Sequence, residues 1–182
     1  MAIDPKSRGI EDEKAAKAPS PPATKSPTKI TKVVSYGNGW LAVEMDDGFQ
    51  YKRDGGTIAW RNNNPGNVKY GEFAIQNGAV GKGGEGMAVF PTLGHGRRAQ
   101  KNLLFTPIRG YDEKSLLSAM KLYAPDSDGN DPVAYAHYVA KSAKVSYLKV
   151  LKTFTEEERE RMLDAMGRME GFRPGVVGRI KQ

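Results

Sequence analysis

Two places in this chain carry side chains whose types and spacing could do chemistry. The first is the run Trp60-Arg61-Asn62-Asn63-Asn64-Pro65-Gly66-Asn67. Forming a helix or a strand does not call for it. Asn side chains compete with backbone hydrogen bonding, proline removes a donor and glycine supplies φ > 0, so the run predicts a rigid polar turn. Its amide donors and acceptors, beside an indole and a guanidinium, suit the hydroxyl and N-acetyl groups of a carbohydrate. They equally suit a turn that bonds only itself. The second place is Glu170. Met162, Leu163, Met166 and Met169 recur at helical spacing as an apolar stripe, with Glu157, Glu160, Arg161, Asp164 and Arg168 on the other side. Glu170 falls within the apolar stripe. A carboxyl turned toward an apolar surface at a helix end, with Gly171 as the stop, is expected to hold its proton more tightly and so to serve as a general acid. The alternative is a frayed last turn that lets Glu170 swing into water or pair with Arg173. Glu72, beside Phe73, is a further candidate acid.

Several elements must position these groups. Residues 1–29 are rich in Pro, Ser, Ala and Lys and predict a flexible linker to something larger, or an ordinary tail. From Ile30, short β-branched and aromatic runs separated by Asn38-Gly39 and Asp47-Gly48 predict a three-stranded meander over 30–56. Trp40, Phe49 and Tyr51 there form either a sugar-stacking face or, more simply, the sheet's own small core. The glycine-rich stretch 78–86 lacks the spacing of a phosphate loop and reads as a turn or lobe tip, followed by a short buried strand at Met87-Ala88-Val89-Phe90. Helices are expected over 93–105, with Arg97, Arg98 and Lys101 on a polar side, over 113–123, and over 132–141 from Asp131 as N-cap and Pro132 as first residue. Tyr135, Tyr138 and Val139 would share one side of the last of these, as core first and cleft lining second, while His137 falls off that side. Thr155-Glu156-Glu157-Glu158 is a capping box that starts the final helix at Glu156.

Composition limits the function classes. At 182 residues the chain can bury a core without staples. It has no cysteine, which removes thiol chemistry and thiolate metal sites. Its two histidines, His95 and His137, are far apart and no HExxH spacing occurs, so neither a metal nor a cofactor is expected. There is no membrane-spanning apolar run and no signal-like N-terminus, so neither membrane insertion nor autonomous secretion is expected. The net charge of +7 favours a polyanionic partner: nucleic acid, anionic membrane or the bacterial wall. Nucleic acid is the weaker of these, because recognition motifs are missing.

The block Ala59 to Asn67, followed by Tyr70-Gly71-Glu72-Phe73-Ala74, Gly78-Ala79-Val80-Gly81 and Met87-Ala88-Val89-Phe90-Pro91, resembles a module of phage virion proteins and type VI secretion effectors. Members of that group are lysozyme-like peptidoglycan hydrolases. The similarity continues more weakly through Tyr123-Ala124-Pro125 and Ala134-Tyr135 to Met169-Glu170-Gly171. It implies an α+β, lysozyme-like, mainly helical domain with a small β-lobe over 57–182. It implies bacterial peptidoglycan as substrate, a secretion or tail apparatus and an immunity protein as further partners, and delivery by injection into a target periplasm or in a phage particle. In the similar flagellar muramidases and goose-type enzymes, a helix ends in the acid Glu and a β-lobe adds a second carboxylate. Here the Glu helix lies at the other end of the chain, as circular permutation would place it. On that resemblance Glu170 is the acid and Glu85 the second carboxylate, with Glu72 as the alternative acid. Trp60, Arg61, Asn63 and Asn67 shape the cleft, and Tyr135 lines it. A wall-binding or virion structural module without catalysis is the rival expectation.

Overall fold

A computed structural model describes residues 26–180 as a mixed α+β fold. Most of the expected linker, residues 1–25, lies outside the described residues. Its last residues are fastened down: the Thr28 N–H and hydroxyl both donate to the Asp46 carboxylate, at 2.8 and 2.9 Å.

The meander forms as β1 (Ile30–Gly37), β2 (Trp40–Met45) and β3 (Gln50–Asp54), all antiparallel. Gly39 and Gly48 both take φ 80° in its two turns, the left-handed backbone that the Asn-Gly and Asp-Gly signals supply. Ile30, Leu41 and Val43 are buried in a cluster with Val89, and Tyr51 packs at its edge. Tyr51 therefore belongs to the sheet's own core and donates its hydroxyl to Asp47. Phe49 lies under the Arg179 guanidinium and Trp40 under the Lys52 ammonium.

After β3 come a single turn, α1 (Ile58–Arg61), the Asn-rich turn and the short α2 (Glu72–Gln76). A small hairpin follows, β4 (Gly81–Lys82) and β5 (Ala88–Val89), joined through a 3-10 turn at Gly84–Gly86. Then α3 (Leu93–Phe105) begins where the Thr92 side chain accepts the His95 N–H. α4 (Leu116–Tyr123) starts later than residue 113, because the Ser115 hydroxyl oxygen accepts the Ser118 N–H and caps it there. α5 (Pro132–Ala143) is capped by Asp131 as expected, and α6 (Glu156–Met169) opens with the complete Thr155/Glu158 capping box. Finally β6 (Val176–Arg179) pairs antiparallel with β3, giving the sheet order β1-β2-β3-β6. The end of the segment assigned to the catalytic module thus completes the sheet of the segment assigned to the meander. The link is reinforced where Thr57 N–H donates to Arg173 O at 3.0 Å.

The main core lies among α4, α5 and α6, around Leu116, Met120, Val139, Leu151, Met162, Leu163 and Met166. Two stripe expectations fail at their edges. Met169 is 44% exposed at the last position of α6, and Tyr138 is exposed where its hydroxyl accepts the Arg168 Nε–H. The basic side of α3 is not simply solvated. Arg97 pairs with Glu160 at 2.7 Å and Asp164 at 2.8 Å, and Lys101 pairs with Glu156 and Glu160, so two of its three cations lock α3 to α6. His137 is exposed, its ring 4.5 Å from that of Tyr147. Among the described residues no helix is long and apolar enough to cross a membrane.

Candidate functional site

The Asn-rich turn is rigid and polar, yet most of its amides face inward. Asn63 Nδ2 donates to the Phe90 and Pro91 carbonyls, both at 3.1 Å, and its Oδ1 accepts from Arg53 Nη1 at 3.0 Å. Asn64 Nδ2 donates to the Val68 and Ala88 carbonyls and its Oδ1 accepts the Val68 N–H, all at 2.9 Å. These side chains add bonds to backbone groups of a buried turn and hairpin, two of which, the Pro91 and Val68 carbonyls, also accept the Ile30 and Ala88 N–H groups. Asn63 is therefore a structural residue, not a presenter of its amide to ligand. Arg61 is similarly engaged, donating to the Gly55 and Gly56 carbonyls at 2.9 and 2.7 Å. Trp60 carries the Arg53 guanidinium over its ring at 4.5 Å, while Arg53 Nη2 donates to the Trp60 carbonyl at 2.7 Å. Burial pulls the Arg53 pKa down to about 10, still far above neutrality.

The glycine of this turn works differently from the expectation. The left-handed positions are Asn63 (φ 51°) and Asn67 (φ 44°), types that tolerate that region. Gly66 is required by close approach instead: a Cβ there would lie 2.5 Å from Gln100 Cγ. Gln100 is fully buried, and the Tyr123 hydroxyl donates to the Gly66 carbonyl. Gln100 and Tyr123 thus hold the Gly66-Asn67 backbone from behind.

From this platform Asn67 reaches Glu170. Asn67 Nδ2 donates to Glu170 Oε2 at 2.7 Å, and the Tyr135 hydroxyl donates to Glu170 Oε1 at 3.2 Å. The helix end that carries Glu170 does not fray. Gly171 takes φ 64°, its N–H donates to Arg168 O and the Phe172 N–H donates to Gly167 O. That is the paired bonding of a Schellman motif, with Glu170 as the capping residue. Arg173 is not its partner among the described residues.

Burial is the largest influence on the Glu170 carboxyl and raises its pKa above the ordinary value of 4.5, while the Asn67 and Tyr135 hydrogen bonds work in the opposite direction. Among the described residues no cation pairs with it to offset the burial. Burial also drives the Tyr123 and Tyr135 hydroxyls well above the ordinary tyrosine range, so both stay neutral donors. Asn67 Oδ1 is buried without a partner among the described residues. Turning the amide over would offer that oxygen to a protonated Glu170, so one Asn can serve both protonation states.

The other expected carboxylates do not join this cluster. Glu85 is exposed on the turn between β4 and β5, in left-handed backbone at φ 55°. Glu72 is exposed in the first turn of α2, where Gln76 donates to it at 3.2 Å. Phe73 beside it turns inward while Glu72 turns outward, so sequence adjacency to an apolar residue buries nothing here. Of the residues expected from the sequence, Glu170, Asn67 and Tyr135 come together, and Trp60, Arg61 and Asn63 build the support. Sequence reasoning missed Gln100, Tyr123 and Arg53. Gln100 could have been found by the signal that marked Glu170: a polar residue on the apolar side of a helix, between Ala99 and Leu104 in the heart of α3. Among the described residues no group of three or more acidic or histidine side chains is placed to hold a metal ion.

The cluster holds a half-buried carboxyl that can give up and take back a proton. No protein-family model matches this chain and no curated protein matches it, so any assignment of activity rests on the site's own geometry.

Proposed function

We propose that the protein cleaves the glycan strands of bacterial peptidoglycan, with Glu170 as general acid, in a lysozyme-like fold. The observation that supports this most is the environment of Glu170: a half-buried carboxyl at a fixed helix end, held by two neutral donors and, among the described residues, by no cation. Burial outweighs the two hydrogen bonds and keeps the carboxyl protonated to higher pH than usual, as protonation of a glycosidic oxygen requires.

In the proposed reaction Glu170 gives its proton to the bridging oxygen as the bond to the sugar's anomeric carbon breaks. Positive charge develops on that carbon and the ring oxygen. The glutamate left behind then takes a proton from the attacking group. Attack by water gives a reducing muramic end; attack by the muramic acid's own C6 hydroxyl gives an anhydro end and needs no second carboxylate. Hydrolysis would use a second carboxylate to stabilise the cation or activate water, and Glu85 on the glycine-rich turn is the candidate for that role. Asn67 and Tyr135 keep the acid oriented through both steps. Delivery as secretion cargo or in a virion, and restraint by an immunity protein, are carried by the sequence resemblance alone.

The test is mass-spectrometric analysis of fragments released from purified sacculi by the protein and by Glu170→Gln, Glu85→Gln and Glu72→Gln. Loss of a general acid is expected to lower cleavage by about 10²–10⁴ in Glu170→Gln. Full cleavage by a folded Glu170→Gln protein would remove Glu170 from the mechanism.

A further inference from the structure

Beside the acid site, a groove of about 580 Å³ runs between the start of α3, the second half of α6 and the segment after it. Its walls include Gly171, next after Glu170, and Pro65, in the same turn as Asn67. Two features separate it from an ordinary surface depression. The first is Gly167. A helix that ends in a Schellman motif usually brings the side chain at its third-last position against the one just past the end. Here those positions are Gly167 and Phe172, whose backbones make the expected bond at 3.4 Å. A Cβ at Gly167 would meet nothing within 4 Å. Packing does not require this glycine and helix propensity opposes it. The space its side chain would fill is part of the groove, which Phe172 also lines.

The second feature is charge. Arg97 is neutralised by Glu160 and Asp164, whereas Arg168 and Arg173 have no carboxylate partner among the described residues. The Arg173 backbone is tied to Thr57 in both directions, which fixes where its side chain begins. The result is an apolar strip of Leu93 and Phe172, open at Gly167 and flanked by two guanidiniums with no carboxylate partner among the described residues, that of Arg168 donating only to the Tyr138 hydroxyl.

From this geometry we infer that the groove is a binding site for an acidic peptide with small aliphatic side chains, namely the peptide stem of the glycan strand whose sugar bond lies at Glu170. The inference rests on the glycan-cleavage reading and names a further part of the same substrate. Small side chains alternating with carboxylates match an apolar floor between two forked cations. A single aromatic ring does not provide the successive stacking that single-stranded nucleic acid uses.

The test is calorimetric titration of the whole chain with the free stem tetrapeptide, and with the same peptide amidated at its carboxylates. Alongside it, cleavage of stem-bearing and stem-free glycan strands is compared. Amidation, or the double variant Arg168→Gln/Arg173→Gln, is expected to weaken binding about tenfold. Gly167→Ala is expected to raise Tm, by helix propensity, and yet weaken peptide binding, a combination that a merely structural glycine would not give. A peptide that is not bound, or is bound equally well after amidation or by Gly167→Ala, overturns the inference. So does tighter binding of a short single-stranded oligonucleotide with the same dependence on the variants. Equal cleavage of both strand types without peptide binding overturns the groove assignment and leaves glycan cleavage standing. Peptide binding without any glycan cleavage supports the groove and removes the acid role of Glu170.

Discussion

The two ends of α6 carry the same side chain in opposite environments. At its start, Glu158 accepts from the Lys149 ammonium at 2.7 Å and Glu160 from Arg97, and these partners hold both carboxyls below the ordinary value. At its end, Glu170 has an amide, a phenol and, among the described residues, no cation, and burial raises its pKa. One helix therefore keeps two carboxylates charged as fasteners and a third ready to be protonated. Residue type does not separate these roles; the partners brought by α3, α5, the segment after α5 and the Asn-rich turn do.

The contrast can be attacked first through the turn. Gly66→Ala would press a methyl into the buried Gln100 side chain and is expected to cost about 1–3 kcal/mol by denaturant unfolding, because overpacking at a buried site is felt directly. It should also displace Asn67 and depress cleavage, whereas a change of similar size elsewhere in the core would lower stability alone. Tyr135→Phe removes one donor to Glu170 at a cost of about 1 kcal/mol in orientation of the acid. It should shift the alkaline limb of the pH–activity profile upward, since that hydrogen bond favours the charged carboxylate. At the other end, Arg97→Ala is expected to lower stability by no more than about 1 kcal/mol, because the pair is partly exposed. Salt should shrink that loss, and the pH profile of cleavage should not move.

The two ends also differ in the sign of their pH dependence. Glu158 and Glu160 have folded pKa values below their unfolded ones, so their contribution is complete above the unfolded value and is lost as pH falls through the folded one. The folded chain binds the Glu170 proton more tightly than the unfolded chain does. The protein therefore loses stability as pH rises from 4.5 through the raised value. Thermal unfolding of Glu170→Gln and the parent should accordingly diverge with rising pH, the parent falling behind, and the gap should narrow toward pH 4.5.

Much of the framework was legible in the sequence because its signals are local. The capping box at Thr155, the Asp131-Pro132 start of α5 and the two glycine turns of the meander each depend on a few adjacent residues. Gly171 as the stop of α6 belongs to the same class, and it placed Glu170 correctly. The less legible parts are set across the chain. The fourth strand is fixed only by pairing Val176–Arg179 with β3, and its own residues are exposed and show no alternation. Asn63, Asn64 and Asn67 are identical in type, and only the location of Phe90, Val68 and Glu170 in space decides which amides face inward and which meets the acid. Gly66 illustrates the same limit: its composition predicts a left-handed turn, but Gln100, from another helix, is what excludes a side chain there.

The most direct test is a carboxyl-carbon NMR titration that follows Glu158, Glu160 and Glu170 in one sample. The Glu170 midpoint is expected above the ordinary glutamate value of 4.5, with Glu158 and Glu160 below it, and is expected to rise further in Tyr135→Phe. A Glu170 carboxyl that titrates with Glu158 and Glu160, or below 4.5, would contradict its role as a proton donor and with it the distinction between the two ends of α6.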